Sequence, residues 1–440
     1  MKEVKTRNIL VLGAPIILGM ISQNILNVVD MAMVGRLGKH ELASVGLGHF
    51  SHFVFVALLL GLPVAIQTMS ARRLGQERKD EAALALNGGL VLSVIGGLLL
   101  LLFLYPTLPW FMKLMSPDPK VQSLATGYLS WRIWAIFAIA MNHTFRGFWN
   151  GVNLAKLYLS IMLVMHASNI FMNWLLIYGN LGAPEMGVEG AGLASALATC
   201  VGMSLHAILC FVKARDFGFL KRFPSPDEMK DIMKLAIPTG IQQLFFSLGL
   251  LCLYWILGKV GVTETAAANV LINLMLLCLL PAVGLGQACN ALVSQSVGRG
   301  ERHTAHAWVV TTNKIVVVAM GTLALSFLAA PDLWFSLFTK AQEVIDLGRS
   351  PLRLTGLAIV FDSIGMIYLY SLFGVGENKK VMAIVVSLMW LFFLPGSYLA
   401  GVNYGFGLMG IWIIQVVYRG GQTVLLMSLW HSDKWKIKNM

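Results

Sequence analysis

The feature that most constrains this chain is a series of long apolar segments separated by short charged breaks. A helix crosses the hydrocarbon core of a bilayer in about 20 residues, whereas a barrel strand alternates in polarity over about ten residues. Unbroken apolar runs therefore indicate helices. Of the 440 residues only 12% are charged, about half the share of a soluble domain. The sequence predicts an all-α membrane protein.

The apolar segments predict twelve transmembrane helices. Their predicted bounds are 8–34, 42–70, 82–105, 121–143, 157–178, 188–212, 235–258, 264–296, 307–329, 345–372, 381–401 and 407–430. The first segment follows a basic start, as in a signal peptide, but it is too long for one and contains Asn27 and Asp30. It is predicted to be a retained first span.

The basic residues predict the orientation of the chain. The net charge is +12, and most Lys and Arg, including Lys2, Lys434, Lys436 and Lys438, fall on one side of the predicted spans. Cytoplasmic loops are enriched in Lys and Arg. We therefore expect both termini to be cytoplasmic, and we expect a lipid bilayer rather than nucleic acid to be the partner.

The two halves of the chain repeat one pattern. Proline, glycine and glutamate residues recur at a single offset of 223 positions: Pro15 and Pro238, Gly35 and Gly258, Gly38 and Gly261, Glu41 and Glu264, Gly61 and Gly284, Gly75 and Gly298. The pattern predicts two pseudo-symmetric six-helix lobes, residues 1–220 and 221–440, joined by the charged linker Lys213–Asp231. Two copies with the same orientation are typical of transporters that have a cavity between lobes that rock.

Catalytic motifs are missing from the sequence. It contains no Walker A motif, no H-E-x-x-H and no G-x-S-x-G, and its five cysteines form no C-x-x-C pair. We expect no enzyme activity, no metal and no cofactor, so that the energy for transport would come from an ion gradient, from a partner or from the substrate's own gradient.

Polar residues inside the spans are the candidate functional groups, because each is costly in hydrocarbon. Gln23, Asn27 and Asp30 follow the spacing i, i+4, i+7, which places them on one helix face. A carboxyl group in a poorly hydrated pocket could bind and release a proton. Alternatively, the amides could simply join neighbouring helices.

The fifth predicted span carries a second polar face. His166, Asn169 and Asn173 follow i, i+3, i+7, and Thr199 lies in the sixth span. These side chains could converge with Asp30 on one pocket. His166 could also be an ordinary hydrogen-bonded histidine.

Two further residues are candidates. Asp362 could be a second ion or substrate group, or it could pair with Lys314 or bond a neighbouring helix. Pro15 frees a backbone carbonyl and kinks its helix, so it could be a hinge that responds to Asp30 or a static kink.

Several sequence blocks carry a family resemblance. The blocks are LGAPIILGMISQNILNVVDMAMVGRLG and GLPVAIQTMSARRLGQ in the first half, LAIPTGIQQLFFSLGLLCLYWILGKVG and GLGQACNALVSQSVGRGE in the second, and RGFWNGVN, GVGEN and GVEGAGLASALAT. The chain resembles the multidrug and toxic compound extrusion (MATE) family, and most of all its DinF-type bacterial branch. The resemblance covers essentially the whole chain.

The resemblance implies a function and a site. It implies a bacterial inner-membrane exporter, expected to be a monomer, that exchanges H⁺ or Na⁺ for small organic, often cationic, drug-like compounds. It places a first-lobe site at Asp30, Asn169, Asn173 and Thr199, with Gln23 and Asn27 nearby, and a bending point at Pro15. Asn173 stands where the resemblance implies a second Asp, which favours H⁺ over Na⁺.

Two other functions stay open at this stage. A flippase for lipid-linked oligosaccharides would need a basic cavity, but the basic residues within spans, Arg132, Lys314 and Arg419, are not clustered in one lobe. A non-transporting membrane subunit or an integral-membrane enzyme is the remaining alternative.

Overall fold

The computed structural model describes residues 5–432 and Trp435. Regular structure in this part of the chain is helical. The α-helices are α1 Thr6–Gly35, α2 Lys39–Val56, α3 Gly61–Gly75, α4 Leu84–Met115, α5 Pro119–Trp134, α6 Ile136–Gly151, α7 Ala155–Tyr178, α8 Gly187–Lys213, α9 Pro226–Val260, α10 Val262–Gly298, α11 Arg302–Ala329, α12 Pro331–Ser336, α13 Gln342–Gly374, α14 Asn378–Ser387, α15 Leu394–Tyr398 and α16 Gly407–His431.

Up to eleven helical segments of the described chain are long and apolar enough to cross a membrane. Ten of them are long and apolar enough by length and composition, and α5 with α6 forms an eleventh that is bent by 54°. The remaining predicted span corresponds to α16, which has 25 residues. It contains the polar residues Gln415, Arg419 and Gln422. The prediction of an all-α fold with twelve spans is confirmed.

Two predicted element bounds are wrong. The predicted fourth span 121–143 is broken between α5 and α6 at Ala135, whose φ of −89° and ψ of 7° interrupt the helix without a proline or glycine. The predicted linker Lys213–Asp231 is too long, because α9 begins at Pro226. Acidic residues in the first turn of α9 are favourable because they lie near the positive end of the helix dipole. In the sequence the same charged residues look like part of a linker.

The contacts divide the chain into two compact units. The boundaries fall between Ile17 and Leu18 and between Gly240 and Ile241. We call residues 18–240 the N-terminal unit. The C-terminal unit consists of the described residues up to 17 and from 241 onwards. The predicted boundary between the two lobes, at residues 220 and 221, was derived from the sequence repeat, and it stays a prediction. The terminal lysines used to predict orientation, apart from Lys5, lie outside the described residues.

Both boundaries lie inside continuous helices, two residues after a proline. Pro15 lies within α1 and Pro238 within α9. Each of these helices therefore contributes its first turns to one unit and its remainder to the other. Pro15 and Pro238 are the first matched pair of the sequence repeat. The two repeats therefore also share the position at which the first helix passes from one unit to the other.

Each unit has its own apolar core. In the N-terminal unit, Phe145, Phe148 and Trp149 of α6 are fully buried among residues of α3, α4 and α8. In the C-terminal unit, Phe327, Phe335 and Trp412 are buried, and α13 packs against α10, α11 and α16. Helix α13 thus lies at the centre of the C-terminal unit and carries Asp362.

The first turns of α9 are bound to the N-terminal unit by a charged network. Arg73, whose side chain is 6% exposed, donates to Glu228 at 3.0 Å. Arg222 donates to both oxygens of Glu228, at 2.9 and 3.0 Å. Ser225 and Glu228 also bond each other's backbone N–H, at 2.8 and 3.3 Å. This reciprocal pattern is a capping box, which explains why α9 begins here.

We predict that Glu228→Gln lowers the free energy of unfolding by about 1.5–3 kcal/mol, the usual contribution of a hydrogen bond to a charged group. The buried Arg73 guanidinium would lose its closest counter-charge. Thermal melting of the purified protein measures the change. Asp227→Asn is the matched control, because the Asp227 side chain is 90% exposed and exposed pairs contribute little. Equal melting temperatures for the two variants would contradict this role.

Candidate ion- and substrate-binding site

Asp30 is a buried carboxyl group whose closest partner is a neutral amide. It lies in the C-terminal part of α1 and is 7% exposed. Nδ2 of Asn173, on α7, donates to its Oδ1 at 2.6 Å. A buried carboxylate requires hydrogen bonds or a counter-charge. The Asn173 amide provides the hydrogen bond without neutralising the charge.

The hydrogen bonds continue from Asp30 towards α8. Nδ2 of Asn173 also donates to Oδ1 of Asn169 at 3.1 Å, and Nδ2 of Asn169 donates to Oγ of Ser195 at 3.3 Å. Oδ1 of Asn173 is buried and accepts no hydrogen bond. The network therefore joins α1, α7 and α8 and retains one unused acceptor beside Asp30.

A cation missed by the sequence analysis lies near this network. Nη1 of Arg132, on α5, donates to the Tyr128 hydroxyl at 2.6 Å. Arg132 is also close enough to attract the Asp30 carboxylate electrostatically. The sequence showed Arg132 only as a basic residue within a span, because its partner depends on how α5 packs against α8.

A second, more exposed network follows α1 towards its N-terminal end. Oγ of Ser22 bonds Nδ1 of His166 at 2.8 Å, and Nε2 of His166 lies 3.3 Å from Oε1 of Gln23. Gln23 in turn donates to Oδ1 of Asn27 at 3.3 Å. The structure thus brings His166, Gln23 and Asn27 together, and places Gln23 at the surface while Asp30 is buried.

Thr199 contributes to the site through its backbone. Its hydroxyl donates to the Ser195 carbonyl of its own helix at 2.7 Å. Its carbonyl accepts from Nδ2 of Asn142, on α6, at 2.9 Å. Asn142 is 8% exposed and was not singled out from the sequence, because its partner lies on another helix, α8.

Asp362 belongs to the C-terminal unit, where it faces a different partner from those predicted. Its Oδ1 lies 3.5 Å from Nη1 of Arg419, on α16. Lys314 was considered as the partner from the sequence, and the structure corrects this to Arg419. The two candidate carboxylates therefore differ in their direct partner, which is the Asn173 amide for Asp30 and the Arg419 guanidinium for Asp362.

The comparisons with known proteins show a family. The sequence profile of MatE matches residues 15–175 and again residues 238–399. The chain belongs to the MatE family. The two matches begin at Pro15 and Pro238 and confirm the internal repeat at the offset of 223 positions.

Relatives in the MatE family have multidrug resistance names. The chain is 24% identical over 431 residues to the probable multidrug resistance protein NorM of Thermotoga maritima, covering 94% of this chain and 89% of the relative. It is 25% identical over 434 residues to the multidrug resistance protein MdtK of Yersinia pseudotuberculosis, covering 96% of this chain and 94% of the relative.

Solved structures share the fold. An outward-facing multidrug resistance MATE transporter of the MOP superfamily superposes with a TM-score of 0.90 at 24% identity, covering 98% of this chain and 96% of that chain. A MOP superfamily transporter from Pyrococcus furiosus superposes with a TM-score of 0.89 at 23% identity, with the same coverage of both chains. The predicted MATE resemblance is confirmed, and this MatE protein is a membrane transporter rather than an enzyme. The DinF-type branch stays a prediction.

No group of three or more His, Cys, Asp or Glu side chains is arranged to hold a metal ion in the described part of the chain.

Proposed function

We propose that this MatE protein is a secondary active exporter that exchanges external H⁺ for cytoplasmic organic, often cationic, drug-like compounds. The observation that carries the proposal is the 2.6 Å hydrogen bond between Asn173 and the buried Asp30 carboxyl group. The names of the relatives NorM and MdtK support the substrate class.

An amide partner suits a group that alternates between two protonation states. When Asp30 is ionised, Nδ2 of Asn173 donates to it. When Asp30 is protonated, its hydroxyl needs an acceptor, and rotation of the Asn173 amide presents Oδ1, which is otherwise unused. Asparagine offers both a donor and an acceptor on one side chain, so both forms of Asp30 can be hydrogen-bonded.

Asp362 is a poorer candidate for proton exchange. Arg419 compensates its negative charge within the same unit, and guanidinium groups stay protonated in proteins. Protonating Asp362 would leave the Arg419 cation buried without its counter-charge, which is costly. The proposal therefore assigns H⁺ coupling to Asp30.

In this proposal H⁺ is the coupling ion, Na⁺ is not required, and no cofactor takes part. A cationic substrate and a proton compete for the ionised form of Asp30, so that binding of one favours release of the other. Gln23, Asn27 and His166 extend the polar surface beside the carboxyl group. Pro15 is the proposed bending point of α1. The protein acts as a monomer in a bacterial inner membrane, with both termini in the cytoplasm.

The test is transport in reconstituted vesicles. Proteoliposomes containing the purified protein would be loaded with ethidium, and a pH gradient and a Na⁺ gradient would be imposed separately. We expect the pH gradient alone to drive ethidium movement, and a protonophore to stop it. Movement driven by Na⁺ alone would overturn the assignment of H⁺ as the coupling ion, and no movement under either gradient would overturn the exporter proposal.

A further inference from the structure

The C-terminal unit contains an apolar pocket whose polar groups include an ion pair. The pocket is lined mainly by Met275, Thr355, Asp362, Trp412, Gln415 and Arg419. An adjoining pocket shares Met275, Gln415 and Arg419 and adds aromatic walls, among them Phe246, Phe393 and Tyr418. Together they form an aromatic cavity with both charges at one place.

The two charges in the pocket are not fully bonded to each other. Nη1 of Arg419 and Oδ1 of Asp362 are 3.5 Å apart, whereas a charge-assisted hydrogen bond is about 2.7–2.9 Å long. Their side chains are only 11% and 8% exposed. Nε of Arg419 is buried and donates to no acceptor. Each charge therefore has capacity for a second partner.

The neighbouring amide of Gln415 is also incompletely bonded. Its Nε2 donates to the sulfur of Met275 at 2.9 Å, and thioether sulfur is a weak acceptor. Its Oε1 is buried and accepts no hydrogen bond. Buried polar groups are normally satisfied, so three incompletely bonded groups on one pocket indicate a place for a polar ligand.

The walls of the pocket are held in position. Nε1 of Trp412 donates to Oγ1 of Thr355 at 2.9 Å. The Tyr418 ring stacks on Phe393 with a centroid separation of 5.0 Å, and the Arg419 guanidinium lies 5.4 Å from the Tyr418 ring. Aromatic groups fixed in this way provide an apolar surface at little further entropic cost.

The charge arrangement selects the ligand class. Arg419 repels a simple cation and Asp362 repels a simple anion. A ligand with an ammonium and a carboxylate on neighbouring atoms satisfies both, because its carboxylate can accept from Nε and a second guanidinium nitrogen of Arg419 while its ammonium donates to Asp362. We propose that this pocket binds aromatic zwitterions of the amino-acid type through Arg419 and Asp362.

This inference adds a substrate class to the proposed exporter and rests on that proposal for its role in transport. The two units then differ in their chemistry. The single carboxylate beside Asn173 suits cations and protons, whereas the ion pair on α13 and α16 suits ligands with no net charge. The sequence repeat does not extend to these groups, since neither Asp is matched at the offset of 223 positions.

Binding of matched fluorescent ligands to the purified protein tests the inference without any gradient. The ligands are Nε-dansyl-lysine, a zwitterion, its methyl ester, a cation, and its Nα-acetyl derivative, an anion. We expect the zwitterion to bind at least about tenfold more tightly than either analogue, because each analogue loses one charge-assisted contact. Equal affinity of all three ligands would overturn the inference.

Variants locate the site. Arg419→Gln should remove the preference for the zwitterion over the methyl ester. Asp362→Asn should remove the preference for the zwitterion over the acetyl derivative. If either variant fails to fold, Ala358→Phe, which fills the pocket and leaves the ion pair intact, should abolish zwitterion binding. Unchanged preferences in folded variants would overturn the site. Asp332→Asn, in α12 and outside the pocket, is the matched control and should bind the zwitterion as the wild type does.

The two proposals fail separately. Absence of zwitterion binding overturns the pocket and leaves H⁺-driven ethidium efflux untouched. Absence of gradient-driven efflux with zwitterion binding intact overturns the exporter proposal alone.

Discussion

Asp30→Asn is expected to fold normally and to abolish H⁺-driven ethidium efflux. The substitution is nearly isosteric, and the amide can still bond Asn173 in one orientation. It removes the carboxyl group that the proposal uses to exchange the proton. Coupling requires a group that binds and releases a proton. We therefore expect the rate of ethidium movement under a pH gradient to fall to the rate in protein-free vesicles, and not to an intermediate rate.

Reconstituted vesicles with an imposed pH gradient provide the measurement, and melting temperature provides the check on folding. Asp332→Asn is the matched control. Asp332 lies outside the spans, and its hydrogen bond from Arg349 holds the pKa of its carboxyl group below the ordinary value. The Asp332 carboxyl group therefore stays ionised near neutral pH and exchanges no proton there. Full efflux by Asp30→Asn would remove Asp30 from the coupling mechanism.

The fold of this chain was predictable from its sequence because the bilayer imposes simple rules. Apolar length determines the spans, and the spacing of Pro15, Gly61 and their counterparts determines the repeat. The break at Ala135 was not predictable, since neither proline nor glycine marks it. The start of α9 was not predicted either, because the charged residues of its first turns resemble a linker until the bonds between Ser225 and Glu228 are seen.

The site was predictable to the extent that it depends on helix periodicity. Spacing placed Asn169 and Asn173 on one face of their helix, and the structure shows that this face reaches Asp30. Partners on other helices depend on packing, which periodicity does not describe. For this reason Arg132 and Arg419 were seen in the sequence only as basic residues within spans, and the pairing of Asp362 with Arg419 rather than Lys314 required the structure.

The neutral partner of Asp30 leads to the second large expected effect. Asn173→Asp would place two carboxyl groups where a donor and an acceptor are now 2.6 Å apart. Like charges at this separation must share a proton or bind a cation. We expect the variant to be less stable than the wild type, and to regain stability with Na⁺ where the wild type does not.

The measurement is melting temperature in NaCl against choline chloride at equal ionic strength. At a Na⁺ concentration tenfold above the dissociation constant, binding stabilises the folded state by about 1.4 kcal/mol, a rise of about 1–2 degrees in melting temperature for a chain of this length. Asn180→Asp, which adds a carboxylate outside the site, should show no such rise. An equal Na⁺ effect on the wild type would contradict the view that Asn173 replaces a cation site.

The swap Asp30→Asn with Asn173→Asp separates the charge from the position. It retains one carboxyl group and one amide between α1 and α7, so the repulsion that creates the Na⁺ site is absent. We expect the swap to lose the Na⁺-dependent stabilisation of the Asn173→Asp variant. If the swap keeps that stabilisation, a single carboxylate on α7 is sufficient to bind Na⁺. Pairing of two carboxyl groups would then not explain why the amide at position 173 favours H⁺.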